Sequence, residues 1–271
     1  MSALKKLTQS IETKNSMLCV GLDIDPGRLP QGCDDSIKGL CRFVLDIIEA
    51  TSDIVAAYKP NMAFYEALGP EGLSLLKLVT SRIPEGNTII LDGKRGDIGN
   101  TGEFYARACF ETFNADWTTI SPYMGYDSIR PFTEFKDNGI FVLCLTSNAG
   151  ARDFQRLEFD GKPLYMHVAE KTASWNENNN CGLVVGATYP EQLTDIRTTA
   201  QDMPILIPGV GAQGGDLEKA VLGGTSGFTK PAIINVSRSV LYASDKEDFA
   251  KAARRVVENL NREIDQIKKK K

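Results

Sequence analysis

The sequence predicts a single α/β domain, residues 1–271, of the (β/α)8 barrel class. Three observations predict it. Short apolar runs alternate with helical patterns along the whole chain, eight of each. The runs are rich in Ile, Val and Leu, as in parallel strands covered on both faces. The length, without any low-complexity linker, matches one barrel of roughly 250 residues. A doubly wound sheet is the alternative, because periodicity does not show closure.

The elements follow in order. An amphipathic stretch at residues 3–11 is expected as an extra helix under the barrel floor. The expected strands are residues 17–23, 54–59, 88–94, 117–120, 140–146, 182–186, 205–208 and 232–236. Helical patterns follow them at 34–51, 62–82, 97–113, 126–138, 163–176, 190–201, 215–222 and 246–267. The last leads into the basic run 268–271, expected as a solvated tail. The interval 148–162 is a longer connection with Gly150 and Gly161, the kind that can form a mobile loop beside a site.

Composition narrows the function classes. A net charge of -4 offers no general attraction for nucleic acid. None of the six cysteines forms a C-x-x-C pair, which fits a reduced, cytoplasmic chain. The N-terminus reads as an amphipathic helix rather than a signal peptide. No apolar run reaches the roughly 18 residues of a membrane helix. His167 is the only histidine, so a multi-His metal site is excluded. It lies in a helical pattern with no nucleophile motif nearby and reads as structural. Lysine and carboxylate are left as the agents of any chemistry.

The richest segment is Asp92-Gly-Lys94-Arg-Gly-Asp97-Ile-Gly-Asn-Thr101. It follows an apolar strand, and residues two apart on a strand share a face, so Asp92 and Lys94 are expected to project together. Asp97 is placed at the start of a helical pattern, with Thr101 four residues on along its face. Two carboxylates interleaved with an ammonium are costly to bury unless paired.

Other expected strand ends are polar as well. The first ends in Asp23, the second in Lys59 with Asn61 beyond, the fifth in Thr146-Ser147-Asn148 and the eighth in Ser237-Arg238-Ser239. Each has an ordinary reading as a cap, turn or solvated side chain. Together they point to the end of a barrel where active sites are built. The loop from Pro208 through Gly211 and Gln213 to Asp216 adds backbone N–H groups that could approach an anion, and Arg238 adds a fork of donors. Loops after strands seven and eight commonly hold phosphate in such barrels.

These residues resemble the orotidine 5'-monophosphate decarboxylase family, in its longer bacterial-type subgroup. The likeness covers nearly the whole chain. It rests on Leu22-Asp23, Lys59-Pro60-Asn61, the D-x-K-x-x-D-I-x-x-T pattern from Asp92 to Thr101, Thr146-Ser147, the loop 208–215 and Arg238. The resemblance implies a cofactor-free, metal-free conversion of OMP to UMP in pyrimidine biosynthesis. Lys59, Asp92, Lys94 and Asp97 would form an alternating charged network, with Lys94 protonating C6. Asp23, Asn61 and Thr101 would approach the ribose and Ser147 the pyrimidine edge. Pro208, Gly211, Gln213 and Arg238 would surround the phosphate. The resemblance further implies a homodimer in which Asp97 and Thr101 serve the neighbouring subunit's site. One departure is Ser237, where many relatives have Gly; its backbone N–H survives the change.

The residues suit that chemistry. Loss of carbon dioxide from an sp² carbon leaves charge at C6, and no metal or cofactor motif is visible to absorb it. A fixed cation between two carboxylates stays protonated and is placed to stabilise that charge. A metal-dependent sugar-phosphate lyase or epimerase on the same barrel is a second reading, which Lys59 and the single histidine disfavour. A non-catalytic nucleotide-binding protein is a third, for which the full Lys-Asp-Lys-Asp set would be superfluous.

Overall fold

The computed structural model describes residues 1–210 and 215–270. Eight parallel strands close into a barrel: β1 (Leu18–Gly21), β2 (Ala57–Lys59), β3 (Thr88–Arg95), β4 (Trp117–Ile120), β5 (Gly139–Leu145), β6 (Cys181–Val185), β7 (Ile205–Pro208) and β8 (Ala232–Val236). Each strand pairs with the next, and β8 closes on β1 with Leu18 opposite Ile234. The closed sheet settles the choice between barrel and doubly wound sheet.

The helices are α1 (Ala3–Lys14), α2 (Ile37–Thr51), α3 (Met62–Glu66), α4 (Gly69–Arg82), α5 (Gly99–Arg107), α6 (Tyr126–Thr133), α7 (Ala151–Phe154), α8 (Leu164–Trp175), α9 (Pro190–Ala200), α10 (Leu217–Thr225), α11 (Arg238–Leu241) and α12 (Phe249–Lys269). The expected helix at 62–82 is split after Glu66, and Gly69 adopts φ +69° as the first residue of α4. The expected helix at 97–113 begins only at Gly99 and ends in a wider π-type turn, Ala108–Thr112. Asp97 therefore stands before the helix, and its spacing to Thr101 is not a relation along one helix face. The interval 148–162 holds α7 and part of a two-stranded hairpin, Glu158–Phe159 with Lys162–Pro163. His167 on α8 secures that hairpin: its Nε2 lies 2.8 Å from the carbonyl of Phe159, and its ring packs on the Phe159 ring. The basic residues Lys268 and Lys269 form the last turn of α12, where cations complement the helix dipole.

Two apolar layers hold the barrel. The larger lies between the strands and the surrounding helices. The smaller fills the barrel's lower interior with Cys19, Ala57, Ile90, Trp117, Phe141, Val184, Leu206 and Ile233, closed below by Ala3 and Leu7 of α1. Trp117 is fully buried, packs on Phe141 at 4.6 Å between centroids and donates its indole N–H to the Ala3 carbonyl. Burying side chains of this size contributes about 1.5–3 kcal/mol each. Gly139 is required beside it, since a Cβ there would meet the Trp117 ring at 2.4 Å. Thus α1 is the floor helix that the sequence suggested.

Strand alternation then dictates what lies above. Two residues further along the same inward faces stand Gly21, Lys59, Asp92, Thr119, Leu143, Gly186, Pro208 and Asn235. Lys59, Asp92, Thr119 and Asn235 bring the first polar groups into the interior, among Gly21, Leu143, Gly186 and Pro208. Among the described residues, no helix is long and apolar enough to cross a membrane.

Candidate active site

Lys59 and Asp92 are both buried, and they pair at 2.6 Å between Nζ and Oδ2. Lys94 Nζ binds the other oxygen, Oδ1, at 2.6 Å, but its side chain is 48% exposed and reaches the open end of the barrel. Thr119 donates its hydroxyl to the same Oδ1 at 2.8 Å. Asp92 therefore accepts from three side chains. Burial opposes its charged form, but Lys59 and Lys94 outweigh that and hold the carboxyl well below the usual carboxylate range. Burial likewise opposes the Lys59 ammonium, and Asp92 and Asp23 more than reverse it, raising the lysine above its ordinary value. Both ions are thus held charged.

Simple strand alternation did not produce this arrangement. From Leu91 to Arg95 is four steps along β3, whereas the paired residues Thr118 to Ile120 span two along β4. The Asp92–Lys94 segment is a bulge, a device that re-aims side chains beside active sites. Lys94 has φ +46°, a left-handed conformation that costs a non-glycine residue energy. The expectation that Asp92 and Lys94 meet holds, with the bulge as its cause.

Asp97 does not join the cluster within this chain. Its Oδ1 accepts the N–H of the adjacent Ile98, and no ion pair of Asp97 is formed among the described residues. Thr101 is exposed on α5. Within one chain, Asp92 is the carboxylate that binds Lys94 among the described residues.

The remaining candidates ring the barrel mouth. Asp23 lies just past β1 and accepts the Ser237 hydroxyl on Oδ2, while its Oδ1 is buried without a partner. Asn61 caps α3 through Oδ1 and forms a backbone bridge to Asp92. Ser147 follows β5 and keeps a buried, unpartnered Oγ. That hydroxyl packs on Gly186, where a Cβ would approach to 2.1 Å. Pro208 ends β7, and a bridge between Val210 and Gly215 closes the loop beyond it. Gly211 and Gln213 lie outside the described residues. Arg238 opens α11, is exposed and makes no ion pair among the described residues. The N-terminus of α10 is capped by Asp216, which accepts the Lys219 N–H. That end of α10 is therefore already satisfied by a carboxylate.

Five unpartnered buried polar atoms escaped the sequence reading: Thr188 Oγ1 beyond β6, Asn235 Oδ1 in β8, Asn87 Oδ1 before β3, Asn180 Oδ1 before β6 and Arg156 Nε in the connection after β5. Thr119 escaped it too. Its signal was present: it stands two residues after the inward-facing Trp117. Thr188 and Asn235, with Asp23 and Ser147, lie toward the C-terminal ends of strands, whereas Asn87 and Asn180 lie at the opposite end. Buried polar atoms are normally satisfied, so the gathering of the former group at one mouth marks a polar ligand's place. Concavity would point elsewhere. A groove of about 510 Å³ beneath the floor is lined by Leu4, Ile11, Met17, Phe228 and Ile264 among others. Its charged lining residues, Glu12, Asp202, Lys230, Asp265 and Lys268, include one ion pair, Lys230–Asp202, and that pair is solvated rather than buried like Lys59–Asp92.

Residues 16–253 match the model of a protein family described as "Orotidine 5'-phosphate decarboxylase / HUMPS family". The chain is 50% identical over 257 residues to a protein of Herpetosiphon aurantiacus named orotidine 5'-phosphate decarboxylase, covering 94% of this chain and 95% of that protein. A protein of the same name from Ralstonia pickettii is 45% identical, with 99% and 100% covered. Among solved structures, the Leishmania donovani OMP decarboxylase superposes with a TM-score of 0.84 at 38% identity, covering 99% of each chain.

Proposed function

The chain belongs to the orotidine 5'-phosphate decarboxylase / HUMPS family, and we propose that Lys94, held on Asp92 by the β3 bulge, is its proton donor. The chain is a carboxy-lyase that converts orotidine 5'-phosphate to UMP and carbon dioxide in pyrimidine biosynthesis. The observation that carries the mechanistic reading is the Lys59–Asp92–Lys94 array, with Lys94 alone reaching the open mouth.

In this reading the bond between C6 and the carboxylate carbon breaks, carbon dioxide leaves, and the electron pair stays on C6. The Lys94 ammonium stabilises the developing charge electrostatically. It then gives its proton to C6 and is reprotonated from water. Asp92 holds the Lys94 side chain in place, and Lys59 and Lys94 keep Asp92 charged. The unpartnered Oδ1 of Asp23 would accept a ribose hydroxyl, with the Asn61 amide beside it. Ser147 would face the pyrimidine edge. Arg238 and the loop from Pro208, with Gly211 and Gln213, would hold the phosphate. Such binding energy, remote from C6, orients the ring.

A homodimer with shared sites completes the reading. Asp97 and Thr101 lack a role within one chain. Around them Ile98, Phe104, Tyr123 and Met124 are 55%, 58%, 85% and 47% exposed. Ile98 caps α5, Phe104 lies on it, and Tyr123 and Met124 form the turn before its neighbour α6. Exposed apolar patches of this kind mark interfaces, and an isologous dimer would bring Asp97 to the partner's Lys94. We place this enzyme in the cytoplasm.

The test follows loss of the orotate chromophore with purified protein. Lys94→Ala should abolish turnover while the circular-dichroism spectrum is kept. Near-normal turnover would remove Lys94 from its role. Mixing inactive Lys94→Ala with inactive Asp97→Ala subunits should restore activity, up to about half of wild type per dimer, because one site of a mixed dimer carries neither lesion. Continued inactivity after demonstrated exchange would assign Asp97 to its own subunit.

A further inference from the structure

The β3 bulge creates a problem that one side chain solves. A bulge leaves backbone groups without ladder partners, and a buried N–H without a partner is costly. The Lys94 N–H, which is part-buried, lacks a ladder partner because β3 and β4 are out of register at that point. It donates instead to Thr119 Oγ1 at 2.9 Å. The same hydroxyl donates to Asp92 Oδ1 at 2.8 Å, and that oxygen also binds Lys94 Nζ at 2.6 Å. A closed ring results: Lys94 N–H to Thr119, Thr119 to Asp92, Asp92 to the side chain of Lys94. Thr119 is only 1% exposed and its backbone is fixed in β4 opposite Phe141.

We propose that Thr119 is a positioning residue for the decarboxylation: its hydroxyl ties both ends of Lys94 to one carboxylate oxygen and so fixes the ammonium over the mouth. The proposal rests on the assignment of Lys94 as proton donor. Three features support it. The hydroxyl is fully used, with its one proton given to Asp92 and a lone pair taking the Lys94 N–H. Lys94 sits in a left-handed conformation that needs a fixed partner to persist. Finally, nothing else among the described residues bonds the Lys94 N–H. A 1 Å displacement of a reacting group can cost a hundredfold in rate, so a long, half-exposed lysine gains from a short internal tether. β-Branched threonine suits the task, because its χ1 is restricted.

The experiment compares Thr119→Val with Thr119→Ser. Valine keeps the shape and removes the hydroxyl. It should lower kcat about tenfold to a hundredfold, the scale of a lost hydrogen bond to a charged group. KM for orotidine 5'-phosphate and Kd for UMP should stay within about twofold, because the contact orients the proton donor rather than the nucleotide. Serine restores the hydroxyl and should recover most of kcat. Wild-type kcat in Thr119→Val would overturn the proposal. So would a rise in KM at unchanged kcat, or failure of Thr119→Ser to recover rate. If valine prevents folding, the serine variant still decides, since a folded Thr119→Ser that binds UMP normally but turns over slowly contradicts the assigned role. Failure of the unaltered protein to turn over orotidine 5'-phosphate would instead sink the functional reading itself.

Discussion

Two buried cations sit at opposite ends of this barrel, and they are completed to different degrees. At the floor, Arg197 of α9 is 4% exposed and gives four hydrogen bonds to the carbonyls of Gly224, Gln201, Met203 and Pro231. Burial pulls its guanidinium down to about 10, and Asp202 works against that shift. Arg197 ties α9 to α10 and to the segments entering β7 and β8. At the mouth, Lys59 is 5% exposed and is neutralised by Asp92, but the polar atoms around the pair are not all used. Asp23, Ser147, Thr188 and Asn235 each keep a buried oxygen without a partner. The floor charge is closed on itself, so it stabilises. The mouth is left unfinished, and a polar ligand would finish it. Burial of charge alone does not mark a functional site; unfilled valences beside it do.

That contrast breaks first at Asp92. Asp92→Asn leaves the Lys59 ammonium buried without its counter-ion, a loss of about 3 kcal/mol or more in urea unfolding. Turnover should fall below detection in the same variant, because Lys94 loses its anchor. The pH dependence has a definite sign. The Asp92 carboxyl is held below its ordinary value, so its stabilisation is complete above about pH 4 and is lost as the pH falls through the depressed folded value. The stability gap between wild type and Asp92→Asn should therefore narrow on acidification below about pH 4. A gap that stayed constant there would show that Asp92 is not held as a charged partner of the lysines.

The floor gives the opposite pairing of effects. Arg197→Met removes the donors of four carbonyls and should cost about 2–4 kcal/mol of stability. The kcat and KM of the folded fraction should stay within about twofold of wild type. A large fall in kcat with the fold intact would mean that the two ends of the barrel are coupled, and the division drawn above would fail.

How much of this was legible in the sequence follows from the same division. The barrel was legible because strand and helix periods are local properties. The eight strands fall where the Ile-, Val- and Leu-rich runs lie, and α1 fits under the floor through Ala3 and Leu7. Lys59, Asp92 and Lys94 were legible as charges at strand ends. The bulge was not, because register between β3 and β4 is a relation between distant segments. The break after Glu66 and the late start of α5 were missed for a related reason: a left-handed glycine stands at the start of each following helix, within a continuing helical pattern. Thr119 was hidden by its ordinariness, since a threonine inside a strand needs no explanation until its partners are known. Asp97 was read as the start of a helix, whereas α5 begins only at Gly99.

Ser237 offers the smallest and most discriminating test. The sequence marked it only as a departure from relatives that carry glycine. In the structure its hydroxyl binds Oδ2 of Asp23, leaving Oδ1 as that carboxylate's unpartnered oxygen. The contact needs Gly21, because a Cβ there would lie 2.7 Å from the Ser237 hydroxyl. Ser237 thus orients the carboxylate that would meet the ribose, while making no hydrogen bond to Lys59, Asp92 or Lys94 among the described residues. Ser237→Ala removes one hydrogen bond, a change of about 0.5–1.5 kcal/mol. If the mouth is a ligand site with separable binding and chemical parts, that loss should appear as a rise in KM of about two- to tenfold, with kcat nearly unchanged. Thermal stability should shift by no more than a few degrees. A fall in kcat at constant KM would instead place Asp23 with the groups that act only in the transition state, and the mouth would have to be read as one catalytic unit.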